Sequence, residues 1–112
     1  MEVNSLAGAA PFTTADGSTI RELHHTAAQS LAEASLPAGG TTARHYHARS
    51  EEIYFLLDGE GDMELDGAVR RVRPGDAVLI PAGAWHQITA VSTLRFLCCC
   101  APPYADKDTF FA

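Results

Sequence analysis

The stretch HYHARSEEIYFLLDGEG, residues 45–61, places two histidines one residue apart, just ahead of an apolar run and a glycine turn. Strand side chains alternate between two faces, so His45 and His47 point the same way if this segment is a strand. Two imidazoles directed into an apolar interior are costly unless they are bound. The spacing therefore indicates a metal site.

A carboxylate follows the two histidines at an odd offset. Glu52 lies five residues after His47, so on one unbroken strand it would face away from both histidines. We expect residues 48–50 to form a turn or bulge that brings Glu52 to the same side. Glu51 has the right parity only on a straight strand. We choose Glu52 because it shares its alternation with Tyr54 on the following strand.

A second segment, PGDAVLIPAGAWHQI at residues 74–88, carries a third histidine after a Pro-Ala-Gly turn. Together the two segments resemble the two sequence motifs of the cupin superfamily. The first motif, G-x5-H-x-H-x4-E-x6-G, is met by Gly39, His45, His47, Glu52 and Gly59. The second, G-x5-P-x-G-x2-H-x3-N, is met by Gly75, Pro81, Gly83 and His86, with Ala90 at the final position.

The resemblance implies a small single-domain bacterial cupin of the cupin-2 type. It implies an all-β fold, a double-stranded antiparallel β-barrel of the jelly-roll type. It also implies that His45, His47, Glu52 and His86 bind one divalent metal per chain. Ala90 replaces a residue that is not usually a ligand, so the metal centre is expected to be intact. Three imidazoles and one carboxylate suit Mn, Fe, Ni, Zn or Cu, and leave two octahedral positions open.

Turn-forming residues recur about every eight to twelve positions, which independently favours a β-sandwich or barrel. Asp66-Gly67 predicts a two-residue hairpin. Residues 21–36 are rich in Ala, Leu and Glu, which favours a helix, but the all-β context makes us choose two strands. We expect one domain over 1–112: N-terminal strands in about 1–36, the motif-bearing barrel in 37–101, and a C-terminal arm in 102–112.

Alternation also predicts which side chains face the barrel interior. Residues that share parity with the ligands should line a substrate pocket, and these are Tyr54, Leu56, Ile88, Phe96 and Cys98. Residues 94–100 are expected to be the last strand, with Cys98 and Cys100 inward and Cys99 outward. Tyr46 and Trp85 should face away from the histidines. Phe110 and Phe111 are expected to anchor the arm.

Composition excludes several classes of function. The net charge of −6 argues against nucleic acid as a partner, because phosphate binding requires a basic patch. No apolar run is long enough to span a membrane, and the N-terminus lacks a secretory signal. Three consecutive cysteines make no disulfide framework and fit a reducing compartment, so we expect a cytoplasmic protein. The run IYFLL is apolar on both faces, which predicts cover by the N-terminal strands or by a second subunit; we expect a homodimer.

The sequence leaves three functions open, all with a small molecule as substrate or ligand. The first is a metal-dependent enzyme acting on a small oxygenated molecule, with dioxygenase chemistry slightly favoured because no second acid or base is evident near the motifs. The second is a non-redox isomerase or lyase on a sugar or organic acid. The third is a non-catalytic binding module. Glu52 is a ligand and a candidate base, and Tyr54 is a candidate second group.

Overall fold

A computed structural model describes all 112 residues as two facing antiparallel sheets. This confirms the all-β jelly-roll prediction. The eleven strands are β1 Phe12–Thr13, β2 Thr19–His25, β3 Ser30–Leu36, β4 His45–His47, β5 Glu51–Asp58, β6 Gly61–Leu65, β7 Ala68–Val72, β8 Ala77–Ile80, β9 His86–Ala90, β10 Leu94–Ala101 and β11 Thr109–Phe111. Two single-turn 3-10 helices, Leu6–Gly8 and Asp106–Asp108, complete the chain, and neither has the length of a membrane span.

The strands that carry the metal-binding motifs are divided between the two sheets. The six-stranded sheet has the order β1-β2-β3-β10-β5-β8, and the five-stranded sheet has the order β11-β4-β9-β6-β7. Strands β4 and β9 are neighbours and pair His45 with His86. Strand β5 belongs to the opposite sheet, so Glu52 approaches the histidines from across the interior.

The ambiguous stretch 21–36 forms two strands, as expected. Strand β3 lies between β2 and β10, and its Ala34 and Leu36 are buried. Because β3 is paired on both edges, its backbone N–H and C=O groups find hydrogen-bond partners along the strand. This outweighs a helix preference that is weak for each residue. The predicted hairpin is also confirmed: Leu65 pairs with Ala68, and Asp66-Gly67 has positive φ angles of 47° and 90°, as a type I′ turn requires.

Twelve residues form one hydrophobic core between the sheets, and strand alternation selects them. The burial pattern of β5 alternates over most of its length, and that of β9 alternates throughout. The core residues are Ala34, Leu36, Tyr54, Leu56, Met63, Val72, Ile80, Ala84, Ile88, Ala90, Leu94 and Phe96. Three of these residues, Ala34, Tyr54 and Phe96, also line a cavity beside the histidines.

The C-terminal arm packs on the barrel and adds a strand that the sequence did not predict. Residues 94–100 are not the last strand, because β11 follows and pairs with β4, placing Thr109 opposite His47 and Phe111 opposite His45. Phe110 stacks on Tyr46 with ring centroids 5.1 Å apart. Three residues that follow a proline-rich segment are too few to show a periodic pattern, so their pairing is set by the tertiary structure.

Gly59, which closes the first motif, offers a direct test of the fold. Its φ is +78°, and a Cβ atom there would lie 2.0 Å from the carbonyl oxygen of Thr93. We expect Gly59→Ala to lower the free energy of unfolding by about 3 kcal/mol, because a backbone atom cannot move aside easily. Urea denaturation measures this. Gly67→Ala is the matched control, since Gly67 also has positive φ but open space around it, and should cost only about 1 kcal/mol. Equal losses in the two variants would contradict the assignment.

Candidate metal centre and cavity

The three predicted histidines converge in the interior. His45 and His47 come from β4 and His86 from β9, and all three are buried. One nitrogen from each ring lies within 4.8 Å of the other two. The ring centroids of His45 and His86 are 4.2 Å apart. Three buried imidazoles at these distances can bind a metal ion.

Backbone carbonyls fix the tautomers of two of these rings. The Nδ1 of His45 lies 2.7 Å from the Ala43 carbonyl oxygen, and the Nδ1 of His86 lies 3.0 Å from that of Ala84. A carbonyl oxygen can only accept a hydrogen bond, so each Nδ1 carries the proton. Each Nε2 therefore presents its lone pair to the interior, which is the state that binds a metal.

Thr109 fixes the third ring from the C-terminal strand. Its hydroxyl donates to the Ala105 carbonyl oxygen at 3.0 Å, so its oxygen is left to accept from the Nδ1 of His47 at 3.1 Å. His47 then also presents the Nε2 lone pair. Thr109 has no signal in the local sequence, because only the pairing of β11 with β4 places it beside His47.

We expect Thr109→Val to weaken metal binding about tenfold, because outer partners of metal-bound histidines typically contribute that much or more. Valine keeps the shape of the side chain and removes only the hydrogen bond. Competition with a chromophoric chelator measures the affinity. Thr109→Ser retains the hydroxyl and should bind nearly as tightly as wild type; an equal loss in the serine and valine variants would show that packing, not the hydrogen bond, is responsible.

Glu52 completes the group from the opposite sheet. Residues 48–50 form the expected bend between β4 and β5, and the buried carboxylate of Glu52 faces the histidines. Its Oε1 lies 3.4 Å from Nε2 of His47 and 3.4 Å from Nε2 of His86. Both Oε1 of Glu52 and Nε2 of His86 lack a hydrogen-bond partner. Unpaired buried polar atoms are rare, and a cation between them would satisfy both, so the residues present fit a metal ion.

A cysteine holds the second oxygen of this carboxylate. The thiol of Cys100 donates to Oε2 of Glu52 at 3.2 Å, which leaves Oε1 directed at the imidazoles. Cys100 is buried, and Cys99 is exposed on the other face of β10. Cys98 lines the cavity and is half-buried. The orientation of the three cysteines follows the predicted alternation. Burial, with the charge of Glu52, raises the pKa of the Cys100 thiol, so it remains a donor.

The charges of the site favour an ionised carboxylate among imidazoles. Burial opposes ionisation of Glu52, but the nearby His47 and His86 outweigh it and lower its pKa to about 2. Burial and the neighbouring His86 lower the pKa of His45. Burial acts in the same direction on His47, yet the contact with Glu52 prevails and raises its pKa. Protons therefore compete with a metal at His47 more strongly than at His45.

The centre opens onto a cavity that seventeen residues line. Of the residues predicted to line a pocket, Tyr54, Phe96 and Cys98 do so. Leu56 and Ile88 do not; both are fully buried in the hydrophobic core. Parity gives the face of a strand but not the position along it, which accounts for this difference. Five polar residues that the sequence did not predict also line the cavity: Thr14, Asp16, Ser18, Glu22 and Ser30.

The aromatic residues predicted to face outward lie outside the cavity. Tyr46 packs edge-on against Trp85, with ring centroids 4.7 Å apart. The guanidinium of Arg44 lies 5.1 Å from the Trp85 ring centroid. These contacts stabilise the outer face of β4 and support the backbone that carries the two histidines.

Comparison with known proteins agrees with this architecture. The uncharacterized protein MJ1618 of Methanocaldococcus jannaschii is 45% identical over 106 residues, which cover 88% of this chain and 85% of that protein. The oxalate-binding protein of Thermotoga maritima is 33% identical over 79 residues, covering 69% of this chain and 65% of that protein. The match to a further relative, from Aquifex aeolicus, covers 54% of that relative.

Among solved structures, KdgF from Halomonas sp. superposes with a TM-score of 0.86 at 21% identity, covering 96% of this chain and 97% of that chain. At this identity the likeness concerns the fold. The sequence model of the cupin domain family, Cupin_2, matches residues 32–100 and so includes the whole four-residue centre. On the match to that model, the chain belongs to the cupin family.

Proposed function

We propose that this chain is a metal-dependent enzyme acting on a small molecule that binds in the cavity, with one divalent ion held by His45, His47, His86 and Glu52. One observation carries the proposal. Three imidazole lone pairs and an unpaired carboxylate oxygen converge at a buried point beside the cavity. Four ligands leave open coordination positions, which is the arrangement of catalytic rather than structural sites. The three cysteines are free thiols, and we place the activity in the cytoplasm.

The reaction we favour is a non-redox elimination or isomerisation. A bound ion would supply Lewis-acid polarisation of a substrate oxygen. Tyr54 lines the cavity, and burial together with the charge of Glu52 raises the pKa of its hydroxyl well above the usual range. Tyr54 therefore stays protonated, and its hydroxyl can donate a proton to a strongly basic group such as an alkoxide leaving group or an enolate. Tyr54, a candidate second group on the sequence alone, thus favours an isomerase or lyase over the oxygenase chemistry that the sequence slightly favoured.

The test is turnover with and without dioxygen. Zn-, Mn- and Fe-loaded protein is incubated aerobically and anaerobically with a panel of hydroxy acids, amino acids, amino alcohols, sugars, uronates, diketones and thiols, and products are followed by mass spectrometry. Anaerobic turnover supports the proposal. Tyr54→Phe should then lower kcat about 100-fold while metal content stays at the wild-type level. Turnover that persists unchanged in Tyr54→Phe would remove its role as proton donor.

A dioxygenase is the second candidate, and the apolar wall of the cavity favours it. Phe12, Ile20, Ala32, Ala34 and Phe96 line one part of the site and would exclude water from an oxygen-dependent reaction. Substrate-dependent oxygen consumption by the Fe-loaded protein, absent without dioxygen, would establish this reading instead.

A non-catalytic binding module is the third candidate, and the similarity to an oxalate-binding protein favours it. Tight binding of a small ligand without turnover under any of these conditions would support it.

We also propose that the protein is a homodimer, joined through the outer face of the six-stranded sheet. The N-terminal strands extend this sheet beyond β3 and do not cover it. Ile53, Phe55 and Leu79 are therefore 40%, 39% and 54% exposed, and Ile53 pairs directly with Leu79. The same patch on two copies can meet about a two-fold axis, because such an interface uses one surface of both subunits.

Light scattering after gel filtration at micromolar concentration should give twice the mass of 11.9 kDa. Leu79→Glu should produce monomers, because it buries a charge at the centre of the interface. Val69→Glu is the matched control on the other sheet, where Val69 is exposed, and should leave the dimer intact. A monomeric wild type would remove this proposal without affecting the metal site.

A further inference from the structure

The cavity beside the metal centre contains carboxylates but no arginine or lysine. Its carboxylates are Asp16, Glu22 and Glu52, and neither arginine nor lysine is among the seventeen residues that line it. Glu22 is partly exposed and contacts His25, but Asp16 and Glu52 alone balance the two positive charges of a divalent ion. A second anionic group on a substrate would therefore find no net positive charge to bind it.

The basic residues of the chain are not positioned to enter the cavity. Most arginines are held by carboxylates elsewhere in the fold, through Arg21–Glu33, Arg44–Glu64, Arg71–Asp62, Arg73–Glu60 and Arg95–Glu33. Bidentate recognition of a carboxylate or phosphate normally uses arginine. The cavity lacks this means of binding an anion away from the metal.

Asp16 is the carboxylate best placed to recognise a substrate. It lies in the loop between β1 and β2, and its Oδ1 accepts hydrogen bonds from the hydroxyls of Thr14 and Ser18, each at 2.6 Å, and from the Ser18 amide at 2.9 Å. Its other oxygen, Oδ2, accepts none of these. Three donors on one oxygen fix the carboxylate and leave the second oxygen available.

The loop is also fixed to the metal centre. The Ala43 amide donates to the backbone carbonyl of Asp16 at 2.8 Å, two residues before His45. Asp16 lines the same cavity as His45, His47 and Glu52. A substrate bound at the metal would therefore lie in the cavity that Asp16 lines.

We propose that the cavity selects small molecules that carry a metal-binding oxygen group at one end and an ammonium or hydroxyl group at the other, and that Asp16 binds that donor. This inference rests on the proposed metal-dependent function. The substrate class is an amino- or hydroxy-substituted small molecule rather than a dicarboxylate or a phosphate ester. Recognition combines chelation at the open metal positions with a charge-assisted hydrogen bond to Oδ2.

A matched series of hydroxamates tests the proposal, because they share one chelating head and differ only in the tail. The probes are β-alanine hydroxamate with an ammonium tail, 3-hydroxypropanohydroxamate with a hydroxyl tail, succinate monohydroxamate with a carboxylate tail, and acetohydroxamate with none. Isothermal titration calorimetry on Zn-loaded wild type, Asp16→Asn and Asp58→Asn gives the dissociation constants. Asp58 is the control carboxylate, since its side chain is 70% exposed and lies outside the cavity.

The ammonium probe should bind wild type at least about tenfold more tightly than the carboxylate probe, with the hydroxyl probe between them. Asp16→Asn should reduce this ratio to about threefold or less, while Asp58→Asn leaves it unchanged. Equal binding of the ammonium and carboxylate probes, or tighter binding of the carboxylate, would overturn the inference even if Asp16→Asn failed to fold. A protein that binds acetohydroxamate but none of the three probes with a tail would also overturn the inference. Failure of the protein to bind zinc would instead remove the proposed function.

Discussion

The double variant His45→Ala/His86→Ala is expected to lose stoichiometric metal binding. These two imidazoles pair across β4 and β9 and supply two of the converging Nε2 lone pairs. An outer hydrogen bond to a metal ligand is worth about 10- to 100-fold in affinity, so the loss of two direct ligands should cost at least about 10,000-fold. Elemental analysis of protein purified without chelator measures the result.

The matched control is His24→Ala/His25→Ala, which removes the other two histidines that the chain has outside the motifs. His25 is exposed and contacts Glu22, and His24 lies beside Asn4. This variant should retain the wild-type metal content. Full metal occupancy in the His45/His86 variant, with a normal circular dichroism spectrum, would refute the assignment of the centre.

Metal removal should lower the free energy of unfolding at pH 7.5 by about 4 kcal/mol when the free metal stands at 1,000 times its dissociation constant, because the ion binds only the folded chain. This difference should vanish as the pH falls toward 5. Denaturation with and without chelator at a series of pH values measures it. Equal stability of loaded and metal-free protein at pH 7.5, at confirmed metal contents, would contradict the prediction.

The sign of the pH effect follows from the histidines. The pKa of Glu52 is about 2, below its value in the unfolded chain, so its contribution to stability persists above pH 4.5 and does not change between pH 7.5 and 5. In the metal-free chain, the raised pKa of His47 adds stability as the pH falls, and the lowered pKa of His45 removes it. These two effects oppose each other. As the pH falls, protons displace the metal first at His47. The metal-loaded protein then loses its extra free energy of unfolding over the metal-free protein.

The sequence was most informative where chemistry and local geometry coincide. The positions of His45, His47 and His86 follow from strand parity, from a proline-glycine turn and from the resemblance to a family. The bend that brings in Glu52 follows from its odd offset. Each of these inferences needs only neighbours along the chain or a spacing that the motif fixes.

The rest of the site depends on contacts between distant segments. Asp16 enters the cavity from the β1–β2 loop, and Thr109 reaches His47 from a three-residue strand at the other end of the chain. Neither has a local pattern that distinguishes it from a surface residue. Leu56 and Ile88 have the parity of pocket residues but lie in the core, because parity does not specify depth.

X-ray absorption spectroscopy of the metal-loaded protein tests the central claim most directly. The account predicts one divalent ion per chain whose spectrum shows scattering from three imidazole rings and from oxygen ligands, with the imidazole contribution reduced in a single His47→Ala variant. A spectrum without imidazole scattering, or dominated by sulfur from Cys98 and Cys100, would contradict it.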